Sequence, residues 1–179
     1  MRPLENARSS GKPVIGSEPV AAAAIIVALG AMATILGAWF FEYALGYLPC
    51  PLCLQQRIPY YITIPLAVVV AAGALRGWPS TWLAAGLGLI VLAMLAGAGL
   101  GVYHAGVEWK WWTGPASCGG ALAPLGSGNL LDAVQNARIV SCDEAAWRFL
   151  GLSLAGWNVL VALALAGVAA LGMRKAMRA

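Results

Sequence analysis

Four apolar runs divide this chain, each close to the ~20 residues that cross a ~30 Å hydrocarbon core as a helix. They lie at about 20–44, 58–75, 81–104 and 147–173. Lipid offers the backbone no hydrogen-bond partners, so runs of this length and composition are expected as helices that satisfy their own polar groups. The composition agrees: 61% of residues are hydrophobic, 10% are charged and the mean hydropathy is +0.79. Too little polar side chain is present to coat a soluble domain of this size. The short link Arg76-Gly77-Trp78-Pro79-Ser80 joins the second and third runs as a turn, which makes neighbouring helices antiparallel. The expected fold is all-α, an antiparallel four-transmembrane-helix bundle forming a single membrane domain over 1–179. Its outer loops fall at about 45–57 and 105–146, the latter long and joining helices 3 and 4. The first run exceeds the 7–15 residues of a signal-peptide core, so it is expected to remain as an uncleaved anchor.

Charge sets the orientation. The net charge of +4 comes with no basic stripe interleaved with aromatic residues, which argues against a nucleic-acid partner. Arg2, Arg8, Lys12, Arg76, Arg174, Lys175 and Arg178 lie on the side of the termini, against Arg57, Lys110, Arg138 and Arg148 on the other. The positive-inside rule therefore puts both termini in the cytoplasm and both loops outside it, where an oxidising compartment such as the bacterial periplasm lets disulfides persist. All four cysteines, Cys50, Cys53, Cys118 and Cys142, fall in those loops.

The first thiol pair occurs in Pro49-Cys50-Pro51-Leu52-Cys53-Leu54-Gln55-Gln56-Arg57, running into the second apolar span. A Cys-x-x-Cys at a helix start can expose its second sulfur to free backbone N–H groups and the positive end of the dipole, so Cys53 is the expected thiolate. Arg57, four residues on, would share its face and stabilise the charge. Pro51 and Pro59 suit the first turn or the entry to it. A structural disulfide beside an interfacial arginine is the competing reading.

The second pair lies in a stretch too long for an idle connection. Cys118, within Gly114-Pro115-Ala116-Ser117-Cys118-Gly119-Gly120, has small neighbours that leave its sulfur open to another protein's thiolate. Cys142 precedes Asp143 and Glu144 at what reads as the cap of the fourth helix. Adjacency favours Cys50–Cys53 and Cys118–Cys142, although three pairings are open to four cysteines. Trp109, Lys110, Trp111 and Trp112 suit the headgroup level, and 129–134 has the spacing of a short surface helix. His104, the single histidine, ends the third span with Glu108 four residues later.

In combination, Cys50-x-x-Cys53-x-x-x-Arg57 opening the second span, a histidine ending the third, two loop cysteines and a fourth span resemble the DsbB family of bacterial disulfide bond formation proteins. The resemblance covers nearly the whole chain. It implies a multi-pass inner-membrane protein-dithiol:quinone oxidoreductase whose partner is a DsbA-like thioredoxin-fold periplasmic protein and whose acceptor is ubiquinone or menaquinone. Carried over by position, Cys118 would take the mixed disulfide with the partner, Cys142 would be its loop mate, and Cys50 would exchange with Cys142. Cys53 would meet the quinone, with Arg57 and His104 orienting or polarising its oxygens. Where many members carry an acidic or polar pattern before the arginine, Gln55 and Gln56 are neutral. Arg57 is thus expected to lack an adjacent partner and to be free for the thiolate.

Three alternatives accompany that reading, one of them a non-enzymatic bundle, a transporter subunit or scaffold with inert disulfides. A vitamin K epoxide reductase-like enzyme also joins a membrane Cys-x-x-Cys to a quinone, but its quinone-facing pair comes late in the core and here the order is reversed. A metal-binding membrane protein with all four cysteines on one zinc would be better supported by a second Cys-x-x-Cys, which Cys118 and Cys142 do not supply. No metal is expected.

Overall fold

The computed structural model describes residues 17–115 and 142–178. Four helices carry most of them: α1, Ser17–Trp39, prolonged by a π-helical turn at Phe40–Ala44; α2, Pro51–Leu75; α3, Ser80–Glu108; and α4, Leu154–Ala176. Each is long and apolar enough to span a membrane, the spans running 23 to 29 residues including the π-helical turn. At ~1.5 Å rise per residue even the shortest exceeds the ~30 Å core. A two-stranded antiparallel hairpin, β1 (Arg148–Phe149) and β2 (Leu152–Ser153), precedes α4 and pairs Arg148 with Ser153 and Phe149 with Leu152.

The helices pack as a closed ring in which α1 touches α2 and α4, and α3 touches α2 and α4. On α1, Val20, Ala24, Val27, Ala31 and Ile35 recur at helical spacing and are buried, while Ile25, Ile26, Leu29 and Leu36 point outward. Both faces are apolar, as suits a helix with protein on one side and hydrocarbon on the other. Small residues set the closeness of approach. A Cβ on Gly86 would come within 2.5 Å of Val70 Cγ2, and one on Gly101 within 2.8 Å of Val159 Cγ2. Gly99, by contrast, has open space beside it.

Several boundaries differ from the sequence expectation. The second helix begins at Pro51 rather than at 58, which removes most of the loop at 45–57. Cys50 is its N-cap and Pro51 sits in its first turn, while Pro59 lies inside the helix rather than at its entry. The polar run Gln55-Gln56-Arg57 looks unlike a membrane helix by hydropathy, but Gln56 is buried against other helices and Arg57 is paired. The third helix continues to Glu108 rather than ending at 104. The fourth starts at Leu154 rather than at 147, because Leu150 and Gly151 take positive φ values of 52° and 82° that turn the chain into the hairpin. Ser153, not the region of Cys142, caps α4: its hydroxyl accepts the Gly156 N–H at 3.2 Å. The short surface helix expected at 129–134 lies outside the described residues.

Candidate thiol site and adjoining cavity

The site grows from the start of α2. Cys50 has extended backbone angles (φ −72°, ψ 165°), and its Sγ accepts the Cys53 N–H at 3.1 Å in the manner of a capping oxygen. That geometry leaves Cys50 Sγ and Cys53 Sγ 2.7 Å apart, both as free thiols. The two sulfurs have different neighbourhoods. Cys50 is buried with Leu52, Val107 and Cys142, and Cys53, packed at the edge of that cluster, also reaches the wall of a cavity of about 280 Å³. Cys142 is fully buried and disulfide-bonded. Cys118 lies outside the described residues.

The expected thiolate was Cys53; the surroundings favour Cys50. Its pKa falls from 9.0 to about 5, chiefly through the hydrogen bond with the Cys53 side chain, with burial opposing and His104 and the Cys53 N–H adding to the fall. The Cys53 thiol supplies the largest share, and the capping geometry adds to it, since the sulfur that receives the helix N–H is the first of the motif, at the N-cap, rather than the second.

Behind the thiols stands a line of buried polar side chains. His104 Nε2 lies 3.8 Å from Cys50 Sγ, and His104 Nδ1 lies 2.7 Å from Gln56 Nε2. Gln56 also donates to the Leu52 carbonyl at 3.3 Å and accepts from Asn158 Nδ2 at 2.7 Å. Tyr60 donates to Asn158 Oδ1 at 2.6 Å. Glu108, one turn beyond His104, approaches it at 3.9 Å, and its Oε2 is buried with no hydrogen-bond partner among the described residues.

Arg57 is not free. It forms a hydrogen-bonded ion pair with Glu42, which the π-helical turn at the end of α1 presents to it. Neutral neighbours at 55 and 56 therefore did not leave the guanidinium unpaired: its carboxylate comes from another helix. Both side chains are mostly buried, at 12% and 17% exposure, and Arg57 still lines the cavity beside Cys53. His104, Gln56, Glu108 and Asn158 line it as well, with Phe41 and Trp157 among its apolar walls. A buried, mainly apolar site with a few convergent polar groups has the character of a small-molecule pocket, at the small end of the usual ~300–1,000 Å³.

A metal is less well accommodated. Cys50, Cys53 and His104 bring their ligand atoms within 4.8 Å of one another. Two thiolates on a tetrahedral zinc with ~2.3 Å bonds stand roughly 3.8 Å apart, so sulfurs at 2.7 Å are better placed to bond each other. The zinc site built from all the cysteines fails on Cys142, whose disulfide leaves no thiolate to ligate.

Sequence reasoning passed over Gln56, Tyr60, Asn158 and Glu42 as site residues. Asn158 carried a usable signal, since a polar amide inside an apolar span needs a partner. Around the aromatic cluster, Trp109 and Trp111 are exposed as a membrane-interface belt requires, and Lys110 pairs with Asp143 at 2.7 Å.

Known proteins share this outline. Residues 21–172 match the family model described as Disulfide bond formation protein DsbB. The chain is 35% identical over 141 residues to Disulfide bond formation protein B of Aromatoleum aromaticum, covering 75% of this chain and 80% of that one. It is 32% identical over 163 residues to the protein of that name from Saccharophagus degradans, covering 86% and 93%. Against the Polaromonas protein of the same name it is 28% identical over 153 residues, covering 80% and 85%. A match over most of the length, on a chain with four membrane-length helices and a Cys-x-x-Cys at the head of the second, shows that the chain belongs to the DsbB family of disulfide bond formation proteins.

Proposed function

We propose that this protein is a thiol:quinone oxidoreductase that reoxidises a DsbA-type dithiol protein in the periplasm and passes the electrons to a membrane quinone, ubiquinone or menaquinone. One observation carries the reading: Cys50 is buried in a cluster with Cys142, while Cys53, packed at the edge of that cluster, also lines the cavity. A relay needs that division, because one sulfur must exchange with an incoming disulfide while the other serves the acceptor.

The proposed sequence balances. A thiolate of the reduced partner attacks Cys118 of a Cys118–Cys142 disulfide and releases Cys142 as thiolate; the partner's second thiol then displaces Cys118, so the partner leaves as disulfide. That Cys118 is the mate of Cys142 is proposed from their adjacency in the loop and from the family resemblance. Cys142 attacks Cys50 of an oxidised Cys50–Cys53 pair, and Cys53 departs as thiolate at the cavity. The Cys118 thiolate then attacks Cys142 in the Cys142–Cys50 bond, re-forming Cys118–Cys142 and releasing Cys50 as thiolate, and Cys50 bonds to Cys53 as Cys53 gives up its electron pair at the cavity. In sum, one dithiol loses two electrons and two protons, and one quinone gains them as quinol.

A bound quinone supplies the two-electron acceptor. The chain's own residues do the rest: Phe41 and Trp157 form apolar walls for a ring, and Arg57 and His104 offer donors where negative charge develops on its oxygens. The low dielectric of the bilayer enlarges that effect. The helices are proposed to cross in alternating directions as one membrane domain, with both termini cytoplasmic and the cysteines periplasmic, as the lysine and arginine distribution favours.

The test is anaerobic mixing of the purified protein with a reduced DsbA-type partner and a quinone, following quinol formation for the wild type and each Cys→Ser variant. Loss in Cys50→Ser, Cys53→Ser, Cys118→Ser and Cys142→Ser alike is expected. Turnover that survives removal of Cys118 and Cys142 would exclude the relay.

A further inference from the structure

Tyr60, Asn158, Gln56, His104 and Cys50 form one chain of buried and half-buried contacts across α2, α4 and α3, and the roles in it are not interchangeable. A tyrosine hydroxyl can donate or accept, and the amides of Asn158 and Gln56 could in principle both be turned over. The Leu52 carbonyl has no such freedom. It can only accept, so the Gln56 atom 3.3 Å from it is the nitrogen. The same nitrogen faces His104 Nδ1 at 2.7 Å, which must then be the ring's acceptor. With Nδ1 accepting, the proton of a neutral imidazole sits on Nε2, the atom 3.8 Å from Cys50 Sγ. Asn158 Nδ2 donating to Gln56 Oε1 at 2.7 Å, and Tyr60 donating to Asn158 Oδ1 at 2.6 Å, complete the same sense. Every bond in the line is donated toward the sulfur.

We propose that Gln56 is a positioning residue that sets the tautomer of His104, holding its proton on Nε2 where it can serve the Cys50 thiolate. The role acts through the imidazole rather than on the sulfur directly. It deepens the thiol-relay reading, because a proton aimed at Cys50 favours its release from Cys142 and its return to Cys53. A glutamate at position 56 would act in the opposite sense. A carboxylate only accepts, so it would draw the ring proton to Nδ1 and leave Nε2 a lone pair facing the thiolate.

His104 is the one histidine in the sequence, so ¹⁵N-histidine labelling of the full-length protein yields a single imidazole. Long-range ¹H–¹⁵N spectra of the reduced protein in detergent, at a pH where the ring is neutral, report which nitrogen is protonated. The wild type is expected to show protonated Nε2 and bare Nδ1, and Gln56→Glu to reverse them. Gln56→Met, similar in size and without donors, is expected to give a mixture and to slow Cys50 alkylation at about pH 6 by roughly threefold, the scale of one weak hydrogen bond to a charge. A wild-type ring protonated on Nδ1 overturns the proposal without any variant, and so does an unchanged tautomer in folded Gln56→Glu. The spectra involve neither quinone nor partner protein, so absent quinone turnover beside the expected tautomer would sink the relay and leave this inference standing.

Discussion

Glu42, at the end of the first helix, holds Arg57 of the second in an ion pair at the edge of the cavity that Cys53 enters. The pairing fixes a mobile side chain and orients its remaining N–H groups. It also means that the guanidinium near the thiols already has a counter-charge, so its effect on new negative charge is directional more than coulombic.

Replacing Arg57 with alanine is expected to raise the KM for quinone about tenfold, equivalent to ~1.4 kcal/mol, while thiol exchange with the partner protein stays within twofold of wild type. Steady-state quinol formation beside stopped-flow exchange separates the two. Equal loss of both activities would count against a role at the acceptor. Arg57→Lys is expected to recover only part of the effect, since an ammonium cannot engage Glu42 and a ring oxygen with the same fork.

The pH dependence of the reduced protein follows from Cys50. Its folded pKa of about 5 lies below the ordinary 9.0, so the folded state binds fewer protons than the unfolded state between those values. Stability from this group is therefore fully present above about pH 9, declines as the pH falls, and is lost on passing through about 5. Denaturant unfolding of the reduced protein between those limits is expected to show that decline. The Cys50→Ser variant should lack it. Alkylation of Cys50 should keep most of its rate down to roughly pH 6, where an ordinary thiol with pKa ~8.5 has become unreactive. A Cys50 alkylation midpoint near that ordinary value would falsify the assignment of the thiolate.

Helix contact through Gly86 offers a packing test. Gly86→Ala sets a methyl within 2.5 Å of Val70 Cγ2 and is expected to cost about 1–3 kcal/mol, the usual range for overpacking. Val70→Ala in the same chain should recover most of that loss by vacating the space. Gly99→Ala, with nothing within 4 Å, should be close to neutral or slightly stabilising through helix propensity. Detergent-solubilised melting temperatures of the wild type, the two single variants at 86 and 70 and their double variant form a cycle whose coupling term reads the contact.

Hydropathy located the four spans because each is a local property of some twenty residues, and lipid enforces it whatever the neighbours do. Its errors are local too. At the head of α2 the run Gln55-Gln56-Arg57 lowers the hydropathy and moves the apparent start to 58, although Cys50 caps the helix and Pro51 begins it. Before α4, Trp147 to Ser153 reads as apolar enough to be span, and the positive φ values at Leu150 and Gly151 make it a hairpin. The Cys-x-x-Cys was equally legible, since an N-terminal turn brings i and i+3 together in any sequence that starts a helix there.

Contacts between helices were beyond that reach. The fourth residue after Cys53 announced a cation, but its acid, Glu42, sits on a different helix. Gln56 looked inert because an amide carries no charge; its importance comes from meeting His104, 48 residues away, and Asn158, 102 residues away. His104, brought in from α3, adds to the local Cys53 contacts that favour the Cys50 thiolate. Local composition and short-range helical geometry thus specified a membrane bundle with a thiol pair at a helix head. Partners for its charged and hydrogen-bonding groups were chosen by packing between segments far apart in the chain, where direction and distance matter and residue spacing carries no record of them.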